Sequence, residues 1–150
     1  MLAQDRQHRR AYPIASVSGR GGFDLWRTEI DEDSIVDLRL ADLDRDGVPD
    51  AIVVGSHLCL AISGRSGATL WSFAPGDVPR DRTSWRPGLA SVVRIDDDAS
   101  PDVAFGLTGG ADGRLLALSG ADGRLLWSVE LHGVLEETPD SWRADAPALP

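Results

Sequence analysis

The sequence predicts an all-β fold assembled from repeated four-stranded antiparallel units. Three observations predict it. A nine-residue frame, Ser-Gly-x-x-Gly-x-x-Leu-Trp, occurs three times, at Ser18–Trp26, Ser63–Trp71 and Ser119–Trp127. Two Asp-rich turns, 42–50 and 94–102, each run straight into an apolar strand. Helical periodicity is absent over any long window, while 16 glycines and 9 prolines suit a turn-rich β chain.

The elements follow in order along the chain. Residues 1–11 carry the short basic cluster Arg6, His8, Arg9 and Arg10 and are expected to form a disordered, solvated tail. Residues 12–34 supply only the last two strands of a unit, joined at the Gly19–Gly22 turn. Residues 35–73 form a complete unit: strand Ile35–Ala41, the first Asp turn, strand Ala51–Gly55, strand Leu58–Ile62, a glycine turn, and strand Thr69–Phe73. Each pair of strands alternates apolar residues and meets at a turn whose glycines can take positive φ. Residues 74–88 read as a linker between units. Residues 89–131 form a second unit with a Gly/Ala-rich insertion at 108–113, and 132–150 lead toward a missing unit.

The repeating tryptophans, 45 and 56 residues apart, set the period. A four-stranded β-propeller blade runs to about 40–50 residues. The chain therefore reads as about two and a half four-stranded antiparallel blades, and as a fragment of a longer ring. An open arc of blades would expose sheet faces meant for neighbours and favour association or aggregation.

The first turn carries the most specific chemistry. Taking Asp42 as position 1, Asp44 and Asp46 fall at positions 3 and 5, and Asp50 at position 9. Carboxylates at alternate positions converge on one point if the backbone curls, and Gly47 at position 6 permits the curl. Val48 at position 7 would offer its carbonyl oxygen. Six or seven oxygens suit Ca²⁺ better than Mg²⁺. An EF-hand would need Glu at position 12, where Val53 stands in a strand-like run, so that reading fails. Without a cation the four carboxylates repel one another, so metal binding and local order should be linked.

The second turn keeps Asp96, Asp98 and Asp102 at positions 3, 5 and 9, but Arg94 replaces the first ligand and Ala99 the glycine. It is a weaker metal candidate. A guanidinium at position 1 would neutralise the carboxylates from within.

Composition bounds the rest. The net charge of −9, from 24 acidic and 15 basic residues, leaves no basic face fit to displace counterions from nucleic acid. All fifteen basic residues are arginine, to which we attach no function. No apolar run is long enough to span a membrane. The single Cys59 forms no intrachain disulfide and, in an apolar strand, reads as a packing residue. His8, His57 and His132 have no spacing that suggests zinc or a catalytic triad, and no catalytic residue is assigned. Gly109-Gly110-Ala111-Asp112-Gly113 joins two strands and needs no phosphate to explain it. Trp26, Trp71 and Trp127 recur in register, which points to packing between adjacent blades. Trp85 and Trp142, beside Arg86 and Arg143, either pin inter-blade crossovers by cation–π contact or present platforms to a sugar.

The stretch Asp42 to Gly55 resembles the FG-GAP or VCBS-type repeat of integrin-α-like propellers. The stretch Ala117 to Trp127 is similar to the strand-turn-strand of quinoprotein-type propeller repeats. Together they cover most of 12–131. The resemblance implies a seven- or eight-bladed ring and calcium on the inter-strand loops, held by Asp42, Asp44, Asp46, the Val48 carbonyl and Asp50. It also implies partners that are the remaining blades plus a protein or glycan ligand. The expected function is a non-catalytic calcium-binding interaction module of a larger extracytoplasmic or surface protein. The alternative is the propeller portion of an enzyme, a polysaccharide lyase or quinone-dependent dehydrogenase, whose active site lies outside this segment.

Overall fold

The computed structural model describes residues 10–32, 34–75, 86–109 and 112–132. Among these residues ten strands form three antiparallel sheets. Strands β1 (Arg10–Val17) and β2 (Asp24–Glu32) make a two-stranded sheet. Strands β3 (Ile35–Ala41), β4 (Asp50–Gly55), β5 (Cys59–Ile62) and β6 (Thr69–Phe73) make a four-stranded meander. Strands β7 (Arg86–Val93), β8 (Asp102–Gly109), β9 (Asp112–Leu118) and β10 (Leu125–His132) repeat it. Of the expected 1–11 tail, residues 1–9 with His8 lie outside the described residues, as do most of the 74–88 linker with Trp85 and the 132–150 segment beyond His132 with Trp142. Arg10 and Ala11 instead open β1, residues 86–88 begin β7 and His132 ends β10, because each of these ends pairs with a neighbouring strand.

Strand alternation explains how the sheets stack. Successive side chains on one strand point to opposite faces, and both faces of the middle sheet are buried. Ala51, Val53, Leu60 and Ile62 pack with Ile30, and with the partly buried Ile14 and Trp26, on the side of the β1–β2 hairpin. Ile52, Val54, Cys59, Ala61 and Trp71 pack on the other side with Val103, Phe105, Leu107, Leu116 and Leu118 of the third sheet. A strand buried on both faces needs a continuous apolar run, and Ala51–Val54 supplies one in β4. Burial pushes the Cys59 thiol up to about 12, as befits a packing residue.

Each glycine frame closes the same way. Ser63 donates its N–H to the Ala68 carbonyl, and Gly67 donates back to Ser63 O, both at 2.8 Å. The turns at Ser18 and Ser119 repeat this pair of bonds. Gly22, Gly67 and Gly123 take φ of 67°, 75° and 74°, the left-handed region that a Cβ disfavours. The register slips by one residue beside each tryptophan, at Ser16/Val17, Ala61/Ile62 and Leu125/Trp127. The leucine of the Leu-Trp pair is therefore the extra residue of a β-bulge in all three hairpins.

Candidate metal site and inter-blade docking

Both Asp turns are built on hydrogen bonds from backbone N–H groups to their own carboxylates. In the first, Asp50 is fully buried and its Oδ2 accepts from Leu43 N at 2.7 Å and from Asp44 N at 3.3 Å. Asp44 Oδ1 accepts from Asp46 N at 3.0 Å, Asp46 Oδ1 from Val48 N at 2.8 Å, and Asp42 Oδ2 from Gly47 N at 3.1 Å. Short Asp side chains bond the backbone two residues on, which is why this composition curls rather than extends. Gly47 takes φ of 82°, and Arg45 also turns left-handed at 62°. The curl therefore rests on two left-handed residues, Arg45 and Gly47, and not on the glycine alone.

The curl brings Asp42, Asp44 and Asp50 together, with one oxygen from each lying within 4.8 Å of the others. Asp42 Oδ1 is buried and has no hydrogen-bond partner. A buried, unpaired carboxylate oxygen is costly unless a cation answers it. This orphaned atom is the observation that makes the residues fit a hard metal ion. Asp46, expected among the ligands, instead turns its Oδ2 to Arg65, which reaches over from the glycine turn. Arg65 Nε meets that oxygen and Arg65 Nη2 donates to the Asp46 carbonyl at 2.9 Å. The Arg65 guanidinium, then the Val48 N–H, hold the Asp46 carboxyl below its ordinary range.

The second turn repeats the scaffold. Asp102 Oδ2 accepts from Ile95 N at 2.7 Å and Asp96 N at 3.1 Å. Asp98 N donates to Asp96 Oδ1, and Ser100 N to Asp98 Oδ1. Asp96, Asp98 and Asp102 come together here, at positions 3, 5 and 9 of the turn, whereas the first turn's group takes positions 1, 3 and 9. Ala99 needs no left-handed backbone here, since Arg45 is the one non-glycine with positive φ among the described residues. Arg94 is exposed, and the guanidinium that reaches this turn belongs to Arg124, whose Nη2 lies 3.1 Å from Asp96 Oδ2. The internal countercharge comes from the neighbouring hairpin rather than from position 1. No pattern within the Asp turn signals it; Arg65 and Arg124 occupy different positions of the glycine frame.

The Asp and glycine turns are joined. Asp50 Oδ1 accepts from Gly64 N at 2.9 Å, and Asp102 Oδ1 from Gly120 N at 3.3 Å. The carbonyl of the same glycine receives the tryptophan of the preceding sheet. Trp26 Nε1 donates to Gly64 O, and Trp71 Nε1 to Gly120 O, both at 2.7 Å. Ser100 Oγ adds a further bond between sheets, to Leu43 O at 2.8 Å. A Cβ on Gly64 or Gly120 would run into the carbonyl of Pro49 or Pro101. The glycine is required because the proline's backbone approaches it too closely for any side chain.

No family model and no curated protein matches the sequence. Among solved structures, the crystal structure of BamB from Moraxella catarrhalis is similar, with a TM-score of 0.52 and 24% identity. The match covers 77% of this chain and 30% of the BamB chain, so the chain spans about a third of that protein's length. The chain folds as β-propeller blades. The two four-stranded meanders are blades, and the β1–β2 hairpin corresponds to the last two strands of another. Among the described residues no helix is long and apolar enough to cross a membrane.

Proposed function

We propose that this chain is a calcium-binding, non-catalytic β-propeller segment of a larger extracytoplasmic protein, of the FG-GAP or VCBS type, serving protein or glycan binding. The buried, partnerless Asp42 Oδ1 within the Asp42–Asp44–Asp50 group carries the metal reading. Asp42, Asp44 and Asp50 would hold the ion, with Asp46 joining by exchange of its Arg65 partner and Val48 offering its carbonyl. Calcium would supply charge neutralisation and rigidity, with no chemical step.

The chain's own residues pass that rigidity on. Asp50 closes the turn and fixes the Gly64 peptide, and Gly64 in turn receives Trp26. Ordering the turn therefore favours docking of one blade on the next. Module sites of this type bind calcium at about 10⁻⁴–10⁻³ M, which suits compartments outside the cytosol. The likeness to BamB supports the propeller fold on which this reading rests. The enzyme alternative rests on residues outside this segment.

Calcium titration followed by thermal unfolding tests the reading. Calcium should raise the Tm of the wild-type chain, Asp42→Ala should abolish the rise, and Asp98→Ala should change it little. Equal calcium shifts in wild type and Asp42→Ala would refute it.

A further inference from the structure

We infer that Ser100, on the blade β7–β10, is a positioning residue for the ion site of the blade β3–β6, so that calcium affinity at Asp42, Asp44 and Asp50 depends on how these two blades dock. This coupling rests on the calcium reading of that turn. It adds a residue from the neighbouring blade, which touches no ion.

Leu43 stands between two of the proposed ligands and is held at three points. Its N–H donates to Asp50 Oδ2 at 2.7 Å, within the turn. Its carbonyl accepts from Ser100 Oγ at 2.8 Å, across the boundary between the blades. Its side chain is 1% exposed, in the core that includes Val103 and Leu118 of the neighbouring blade. A Cβ built on Gly120 would lie 3.0 Å from Leu43 Cδ2. Two of the three holds therefore come from the next blade. Leu43 N belongs to the peptide plane shared with Asp42, and Leu43 O to the plane shared with Asp44. Peptide planes are stiff and turn only about φ and ψ, so fixing both planes limits where the two carboxylates sit. Asp42 Oδ1, buried and without a hydrogen-bond partner, is aimed by the first of these planes.

Ser100 is itself well anchored. It is buried and lies two residues before Asp102, which is fully buried and accepts from the Ile95, Asp96 and Gly120 amides. Val48, at the corresponding position of the first turn, carries no hydroxyl. The second Asp turn thus braces the first, a task for which it needs no ion of its own. Groups that orient ligands from outside the coordination sphere change metal affinity by about 10- to 100-fold when removed. Binding and docking then favour each other to the same extent.

Calcium binding to the whole chain, measured by isothermal titration calorimetry, tests the coupling. Asp42→Ala should abolish uptake at the first turn. Ser100→Ala should raise the Kd of that site about tenfold, and Ser100→Thr, which keeps the hydroxyl, should restore it. Phe105→Leu loosens the core of the same interface without touching the Leu43 carbonyl, and should leave the Kd unchanged. Hydrogen exchange reads the coupling with Ser100 intact: calcium should slow exchange of the Ser100 amide in wild type but not in Asp42→Ala. Absent calcium uptake in wild type, or equal uptake in Asp42→Ala, would remove the calcium reading and the coupling together. Three results would overturn the coupling and leave the calcium reading standing. They are an unchanged Kd in Ser100→Ala, an equal weakening in Phe105→Leu, and exchange at Ser100 that calcium does not alter.

Discussion

Trp71 of β6 and Gly120 of the β9–β10 turn are joined by an indole hydrogen bond of 2.7 Å that crosses between two blades. Both partners are buried. Removing the donor while keeping an aromatic ring leaves the Gly120 carbonyl unanswered, and an unsatisfied buried acceptor costs about 1–3 kcal/mol. Trp71→Phe should lower stability by that amount in urea unfolding at low protein concentration. Trp127→Phe, at the same frame position without an acceptor among the described residues, should stay within about 0.5 kcal/mol of wild type.

The glycine turns separate backbone strain from crowding. Gly22 and Gly123 share the left-handed backbone, but only Gly123 lies under a tryptophan ring. Gly22→Ala should cost about 1–2 kcal/mol, the penalty of a Cβ in that region. Gly123→Ala should cost this plus about 1–3 kcal/mol for overpacking against Trp71. Equal losses in the two variants would mean that the ring yields freely.

Much of this architecture could be read from the order of residues. Apolar alternation around turn glycines located β3 to β6 almost to the residue, and recurrence of Trp26, Trp71 and Trp127 in one frame implied a role between blades. These signals are local, repeated, or both. The Asp spacing likewise foretold that Asp42, Asp44 and Asp50 converge. What the order of residues did not disclose depends on neighbours distant in sequence. Arg65 lies 19 residues from Asp46 and Arg124 28 from Asp96, and only folding of the glycine hairpin against the Asp turn brings them together. Asp50 was expected purely as a metal ligand. Its complete burial gives it a second task, fixing the Leu43, Asp44 and Gly64 amides, that no spacing rule expresses.

Arg65 acts as a resident cation at the first turn. Its side chain is 61% exposed and that of Asp46 24%, so the pair contributes little to folding on its own and is sensitive to salt. On the proposed calcium reading, its effect falls on the candidate metal site. Arg65→Gln should lower the Tm of the calcium-free chain at low salt, because the clustered carboxylates lose their internal countercharge. The calcium-saturated Tm should fall less, since the ion then supplies the charge. The rise in Tm on adding calcium should therefore be larger in the variant, which calorimetry with and without calcium would show.

The contact between β3 and β7 should make stability depend on acid. Burial of Asp37 by itself raises its pKa, but the Ala90 N–H at 2.8 Å and the Arg39 guanidinium at 2.9 Å outweigh this and hold the carboxyl below its ordinary value. A carboxyl depressed in the folded state binds protons more readily when unfolded, so the chain gains stability as pH rises. The contribution is complete above the unfolded value near 3.8 and is lost as pH falls through the lower folded value. Asp37→Asn should thus be less stable than wild type at neutral pH. The gap should close in strong acid, where the native carboxyl is itself neutral. Urea unfolding of both proteins from neutral pH downward measures this gap. A gap of constant size would show that Asp37 acts by shape alone, through a hydrogen bond to Ala90 that either side chain can make.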